Sequence, residues 1–194
     1  MSQDYFRQHL SESISVKQAL LSDDRAMACL LDMGQGCLAT IKAGHKILIA
    51  GNGGSAADAQ HFAAELVSRF YFDRPALPAI ALTTDSSILT AIGNDYGFEN
   101  LFKRQIQALG QRGDLFIGIS TSGSSPNILH ALSEAKTLGL TCYGLTGSKE
   151  GEMAELCDLL LRVPSPSTPR IQEGHALIGH MLCAYIEDRL FKKA

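Results

Sequence analysis

Five residues, Gly51-Asn52-Gly53-Gly54-Ser55, limit what this chain can fold into more than any other stretch. They follow the apolar run Lys46-Ile47-Leu48-Ile49-Ala50, which reads as a buried strand, and they lead into a helix that carries His61 and Glu65. Strand, tight glycine turn and helix in that order open a parallel α/β unit. Glycine permits positive φ and a close approach of backbone to ligand, and the free N–H groups of a first helical turn favour anionic or polar groups. Ser55-Ala56-Ala57-Asp58 reads as an N-cap with an acidic residue three positions on. The spacing matches neither the dinucleotide pattern G-x-G-x-x-G nor the nucleotide-phosphate pattern G-x-x-x-x-G-K-[ST], so NAD and ATP are set aside. Taken alone, the turn is also compatible with a glycine-rich connection that binds nothing.

From His45 onward the same alternation repeats. Strands are expected at Lys46 to Ala50, Ala79 to Leu82, Asp114 to Ile119, Thr141 to Leu145 and Leu159 to Val163. Between them helices are expected from Ser55, around Ser86 and Phe98, from Pro126, and briefly near Glu150. This is the pattern of a parallel sheet with helices on both faces. Two helices, Gln3 to Leu21 and Asp23 to Ala43, precede it, and Arg170 to Lys193 closes the chain as a long helix after an ordered proline-rich loop at Pro164 to Pro169.

At 194 residues the chain suits a single domain over 1–194 with a sizeable core. A net charge of −3 gives no general attraction to nucleic acid or anionic membrane, so any anion site must be local. No apolar run approaches the roughly 20 residues that span a bilayer, and Met1 to Tyr5 do not begin a secretory signal. The five cysteines (Cys29, Cys37, Cys142, Cys157 and Cys183) are odd in number, scattered and without a C-x-x-C pair, which suggests reduced thiols in the cytoplasm.

A second loop supports the first. The strand ending at Ile119 runs into Ser120-Thr121-Ser122-Gly123-Ser124-Ser125-Pro126, five hydroxyl residues around one glycine. Pro126 suits the first helical position and Ser125 the N-cap, so hydroxyls and unpaired N–H groups converge where a phosphate is held without lysine. Ligands of open parallel sheets sit outside the carboxyl ends of the strands, which is where both loops fall. A small phosphorylated polyol gripped by the hydroxyls would be presented to His61 and Glu65.

His61 and Glu65 are four apart and share a helix face. Such a pair in isolation is an ordinary surface contact; the glycine turn ahead of it is what points to chemistry. On the last helix, Gln172, Glu173, His175 and His180 add polar groups. Glu173 is seven positions before His180 and nearly eclipses it, whereas Gln172 is offset by about 80°, so periodicity alone selects Glu173. His9, His45 and His130 lack such surroundings, and a turn explains Asn94 and Asp95 as well as a site does.

Together these residues resemble the sugar isomerase (SIS) domain family, and within it the isomerases of seven-carbon sugar phosphates. The likeness runs nearly end to end. It rests on Gly51 to Ser55, Asp58 to Leu66, Gly93-Asn94-Asp95-Tyr96-Gly97, Ile119 to Gly123, and Arg170-Ile171-Gln172-Glu173 with His180 beyond. The resemblance implies a three-layer α/β/α sandwich assembled as a homotetramer with active sites between subunits. It implies conversion of D-sedoheptulose 7-phosphate to D-glycero-D-manno-heptose 7-phosphate, toward heptose for bacterial surface polysaccharide. Asn52, Gly53, Gly54, Glu65, Asn94, Asp95, Ser120, Thr121, Ser122, Ser125 and Gln172 would contact substrate, and Glu65 and His180 would move the protons.

Some members bind zinc through positions matching His61, Glu65, Gln172 and His180, so the resemblance selects Gln172 where periodicity selects Glu173. Ser124 stands where Asn is frequent in the family, and Pro169 where some members carry Asp. Enediol chemistry needs one proton moved between adjacent carbons and another between their oxygens, tasks that suit a carboxylate and an imidazole. Two other readings share the motifs: a non-catalytic SIS scaffold that binds the bacterial replication initiator, and a SIS isomerase for another phosphosugar. The scaffolds lack a carboxylate matching Glu65, so its presence favours an enzyme.

Overall fold

The computed structural model describes residues 3–149 and 151–192. Helices α1 (Gln3–Leu21) and α2 (Asp24–Lys42) precede strand β1 (Ile47–Gly51) and helix α3 (Gly54–Val67). Strand β2 (Ala79–Ala81), helix α4 (Ser86–Tyr96), a 3-10 turn at Phe98–Asn100 and helix α5 (Leu101–Leu109) follow. The rest is β3 (Leu115–Ile119), α6 (Pro126–Leu138), β4 (Thr141–Thr146), α7 (Met153–Leu156), β5 (Leu159–Arg162) and α8 (Thr168–Phe191).

The five strands form one parallel sheet in the order β2-β1-β3-β4-β5. Every residue of β1 and β3 is buried, because helices cover both faces. Alternation along the strands divides the core. Ile47, Ile49, Ile117 and Ile119 pack with Phe62 and Leu66 of α3 and Ile178 and Leu182 of α8. Leu48, Ala50 and Phe116 pack on the other side with Phe102 and Ile106 of α5 and Ile128 and Leu132 of α6. The α/β/α sandwich is therefore as expected, and Asp23 caps α2 through bonds from the Arg25 and Ala26 N–H groups.

In this strand order the chain departs from β1 in opposite directions toward β2 and β3, so the switch point lies between β1 and β3. Ile119 pairs with Gly51 at the carboxyl ends of those two strands. The glycine turn and the serine loop thus leave the sheet side by side.

Four local readings are corrected. Helix α3 starts at Gly54, not with Ser55 as its cap: Gly53 occupies the cap position at φ 55° and turns the chain early, so Ser55 is buried inside the first turn and no capping box forms. The segment near Phe98 is a short 3-10 turn followed by α5. The brief helix expected near Glu150 is α7, beginning at Met153; Glu150 itself lies outside the described residues, as does Lys193 beyond α8. Helix α8 begins two residues before Arg170 because Pro169, lacking an N–H to donate, fits a first turn.

Candidate active site

Helices α3 and α8 pack against each other on one face of the sheet and bring three ionisable groups together. His61 and Glu65 lie on one face of α3, with His61 Nε2 3.3 Å from Glu65 Oε1. His180 of α8 places its Nε2 2.8 Å from that of His61. One nitrogen or oxygen from each of the three residues lies within 4.8 Å of the others. His61 is exposed and the other two are half-buried, so the cluster opens outward. Its inner side meets a cavity of about 10 Å³ lined by Asp58, Ile119, Leu145 and His175 among others.

Gln172 and Glu173 point in different directions. A Cβ added to Gly54 would lie 2.8 Å from Gln172 Cδ, so the Gln172 amide rests directly on the glycine turn. Glu173 faces α1 instead: it accepts a 2.6 Å bond from Ser13 Oγ and pairs with Arg170 at 3.0 Å. The helical wheel selected Glu173 because it considers one helix only, whereas the position of α1 decides which side chain remains free.

The serine loop is self-bonded. Ser120 Oγ lies 2.8 Å from Ser125 Oγ and 3.3 Å from Ser122 Oγ, and Ser122 Oγ accepts from the Ser124 N–H at 3.2 Å. Ser125 occupies the N-cap of α6, yet its hydroxyl makes no capping bond; it turns toward Ser120, which corrects the expected cap. At the start of α6 Pro126 has no N–H, and the Ile128 and Leu129 N–H groups both donate to the Ser125 carbonyl at 3.0 Å. Thr121 ties the loop to the next strand end through its carbonyl, which accepts from the Gly147 N–H at 3.2 Å.

Asn52 and Asn127 join the two loops. Their amides form a reciprocal pair, Asn52 Nδ2 to Asn127 Oδ1 at 2.9 Å and Asn127 Nδ2 to Asn52 Oδ1 at 2.8 Å. Asn127 is buried in the first turn of α6 and was not singled out from sequence; its place two residues after the Ser125 cap was the available signal. Asn94 and Asp95 are not brought to this centre. They bond to each other at 2.7 Å on exposed α4, and Asp95 lines a separate groove with Ile88, Tyr96 and Arg104.

Two further groups behind the cluster were read differently or passed over. His175 is fully buried, lies 3.1 Å through Nε2 from the Thr146 carbonyl, and has no partner for Nδ1 among the described residues. Burial lowers it to about 4, so at neutral pH it is uncharged and donates through Nε2. Asp58, three residues before His61, keeps Oδ2 buried without a partner among the described residues; burial raises its carboxyl, and His61 partly offsets the rise.

Comparisons with known proteins give the chain its family. Residues 16–147 match the SIS domain family. A phosphoheptose isomerase of Burkholderia pseudomallei is 60% identical over 189 residues, covering 97% of this chain and 96% of that protein. One from Aneurinibacillus thermoaerophilus is 57% identical over the same shares of each. The solved phosphoheptose isomerase of Neisseria gonorrhoeae superimposes with a TM-score of 0.90 at 43% identity, covering 96% of this chain and 98% of that one. With a switch-point site between a glycine turn and a serine loop, and kinship along nearly its whole length, the chain belongs to the SIS domain family, on the branch of the phosphoheptose isomerases.

Proposed function

We propose that Glu65 and His180 carry the proton transfers by which this chain, an aldose-ketose isomerase, interconverts D-sedoheptulose 7-phosphate and D-glycero-D-manno-heptose 7-phosphate through an enediol. The observation that carries the assignment is the convergence of these two groups from separate helices beside the phosphate-binding loops. Glu65 takes a proton from C1 of the ketose and returns it to C2. His180 gives a proton to O2 and accepts the one leaving O1. No net proton is gained or lost, so both groups end as they began.

Substrate contacts follow the same placement. Ser120, Thr121, Ser122 and Ser125, at the start of α6, suit the phosphate. Asn52, Gly53, Gly54, Glu65 and Gln172 suit the sugar hydroxyls nearest the reacting carbons. Asn94 and Asp95 lie together on exposed α4, Asp95 lining its own groove, and would serve a neighbouring copy's site in a homotetramer. The exposed stripe Phe6, Leu10 and Ile14, each about two-thirds accessible on α1, supports such self-association.

The donor set also fits zinc. A tetrahedral ion with bonds of about 2 Å keeps its ligand atoms roughly 3.3 Å apart, close to the spacings among His61, Glu65 and His180. Gln172 would complete the set. When bound, such an ion supplies Lewis acidity toward a sugar oxygen. Five free cysteines suit a reducing cytoplasm, and no helix among the described residues is long and apolar enough to cross a membrane.

Turnover of C5, C6 and C7 ketose phosphates by wild type and Glu65→Gln tests the reading. The C7 ketose should react best, solvent deuterium should enter the carbon next to the product carbonyl, and Glu65→Gln should abolish turnover with substrate affinity retained. Near-normal activity in Glu65→Gln overturns the assignment. A preference for a C5 or C6 substrate selects the alternative phosphosugar isomerase, and no turnover of any selects the scaffold.

A further inference from the structure

Beneath the active cluster lies an ion pair that takes no part in the chemistry above. Arg74 Nε donates to Glu187 Oε2 at 2.9 Å, with both side chains about 1% exposed. We propose that Arg74 and Glu187 are positioning residues that set where α3 presents Glu65 and where the 68–74 loop presses Phe70 against His180.

The two charges reach the proposed proton-transfer groups by separate routes. Helix α3 ends at Val67 without a glycine cap or a basic residue in its last turn, so its final carbonyls need an outside donor. Arg74 supplies one. Its Nη2 donates to the Glu65 carbonyl at 2.7 Å, and its Nη1 donates to the Leu66, Ser68 and Pro75 carbonyls at 2.6, 3.2 and 3.1 Å. The planar guanidinium thereby holds the backbone of Glu65 itself.

Glu187 works on the opposite partner. It follows His180 by seven residues on α8 and lies nearly eclipsed with it. Its carboxylate accepts from three consecutive N–H groups, Phe70 at 2.9 Å, Tyr71 at 2.6 Å and Phe72 at 3.3 Å. That fixes the Phe70 ring against the His180 imidazole, with centroids 5.6 Å apart. A buried ion pair adds little stability over an apolar pair of the same volume, because both charges lose their water. What an apolar pair cannot reproduce is this set of directed bonds to α3 and to the loop.

The proposal rests on the isomerase reading, and the test separates the two. Steady-state kinetics with sedoheptulose 7-phosphate are measured for wild type, Glu187→Gln, Phe70→Leu and the double variant Arg74→Met/Glu187→Leu, each well below its own thermal midpoint. Glu187→Gln should lose at least tenfold in kcat with KM changed less than threefold. The double variant should regain the thermal midpoint lost in Glu187→Gln while kcat stays low. Phe70→Leu, which keeps an apolar side chain and the fold, should lose kcat severalfold. A kcat that recovers together with stability in the double variant makes the pair merely structural and overturns the proposal. So does wild-type kcat in both Glu187→Gln and Phe70→Leu. Absence of turnover in wild type overturns the isomerase reading, and the positioning role with it.

Discussion

His61 and His180, 119 residues apart in the chain, meet with their Nε2 atoms 2.8 Å apart and join α3 to α8. Two imidazole nitrogens at that separation need something positive between them. Two bare lone pairs repel, and so do two N–H groups, so the contact holds either one shared proton or one cation. Glu65 Oε1, 3.3 Å from His61 Nε2, adds a negative charge that favours both.

A cation explains the contact best where a third and a fourth ligand are at hand. Protein purified without chelator should carry up to one zinc per subunit, and His61→Ala should lower that content severalfold, measured by elemental analysis. Unchanged zinc in His61→Ala would leave the imidazole contact as a shared proton.

The acid limb of stability should show His175. Its pKa falls from about 6.5 unfolded to about 4 folded, so the unfolded chain binds the extra proton first as pH drops. Stabilisation is complete above pH 6.5 and is lost progressively down to about pH 4, a total of roughly 3 kcal/mol. Asp114 acts lower on the scale. Burial alone would raise its carboxyl, but the Lys46 ammonium and the Lys46 and Gln111 N–H groups outweigh that and hold it below the usual carboxylate range. Its contribution is therefore lost only as pH falls below about 4. Denaturant unfolding at pH 7.5, 6 and 5 should give a smaller decline for His175→Gln, whose amide still reaches the Thr146 carbonyl, than for wild type. Parallel declines would mean that His175 is not the group responsible.

The buried amide pair makes a sharper claim about substrate binding. Asn127→Ala removes both bonds that hold Asn52 to α6 and should raise KM about tenfold with kcat little changed, since neither amide moves a proton. In an Asn52→Ala background the same substitution should add nothing, because Asn127 acts through Asn52. An additive loss in the double variant would show a separate role.

Local signals were readable where one element decides the outcome. The strands from β1 to β5 fall within a residue or two of the apolar runs, and the i,i+4 spacing of His61 and Glu65 survives intact because it is a property of one helix. Choices made between elements were not readable. Periodicity points to Glu173 and only the family resemblance to Gln172, which takes the glycine turn because Ser13 of α1 and Arg170 hold Glu173 elsewhere. Ser55 fails as a cap because Gly53 reverses the chain first. Arg74 and Glu187 are 113 residues apart, and nothing local marks either as paired.

The serine loop decides between a phosphosugar enzyme and a scaffold, and Ser122 is the hydroxyl to remove. It is exposed, and among the described residues its hydroxyl bonds only to Ser120 Oγ and from the Ser124 N–H, so Ser122→Ala should leave the fold almost unchanged. In the proposed complex its hydroxyl donates a charge-assisted bond to a phosphate oxygen, worth roughly 1.5–3 kcal/mol. Its loss should weaken phosphosugar binding about tenfold to a hundredfold. Titration of both proteins with sedoheptulose 7-phosphate, and with the unphosphorylated ketose as control, measures the difference directly. Only the phosphorylated sugar should distinguish them. Equal affinity for it in the two proteins would remove Ser122 from the phosphate site, and a wild type that binds both sugars alike would remove the phosphate from the loop.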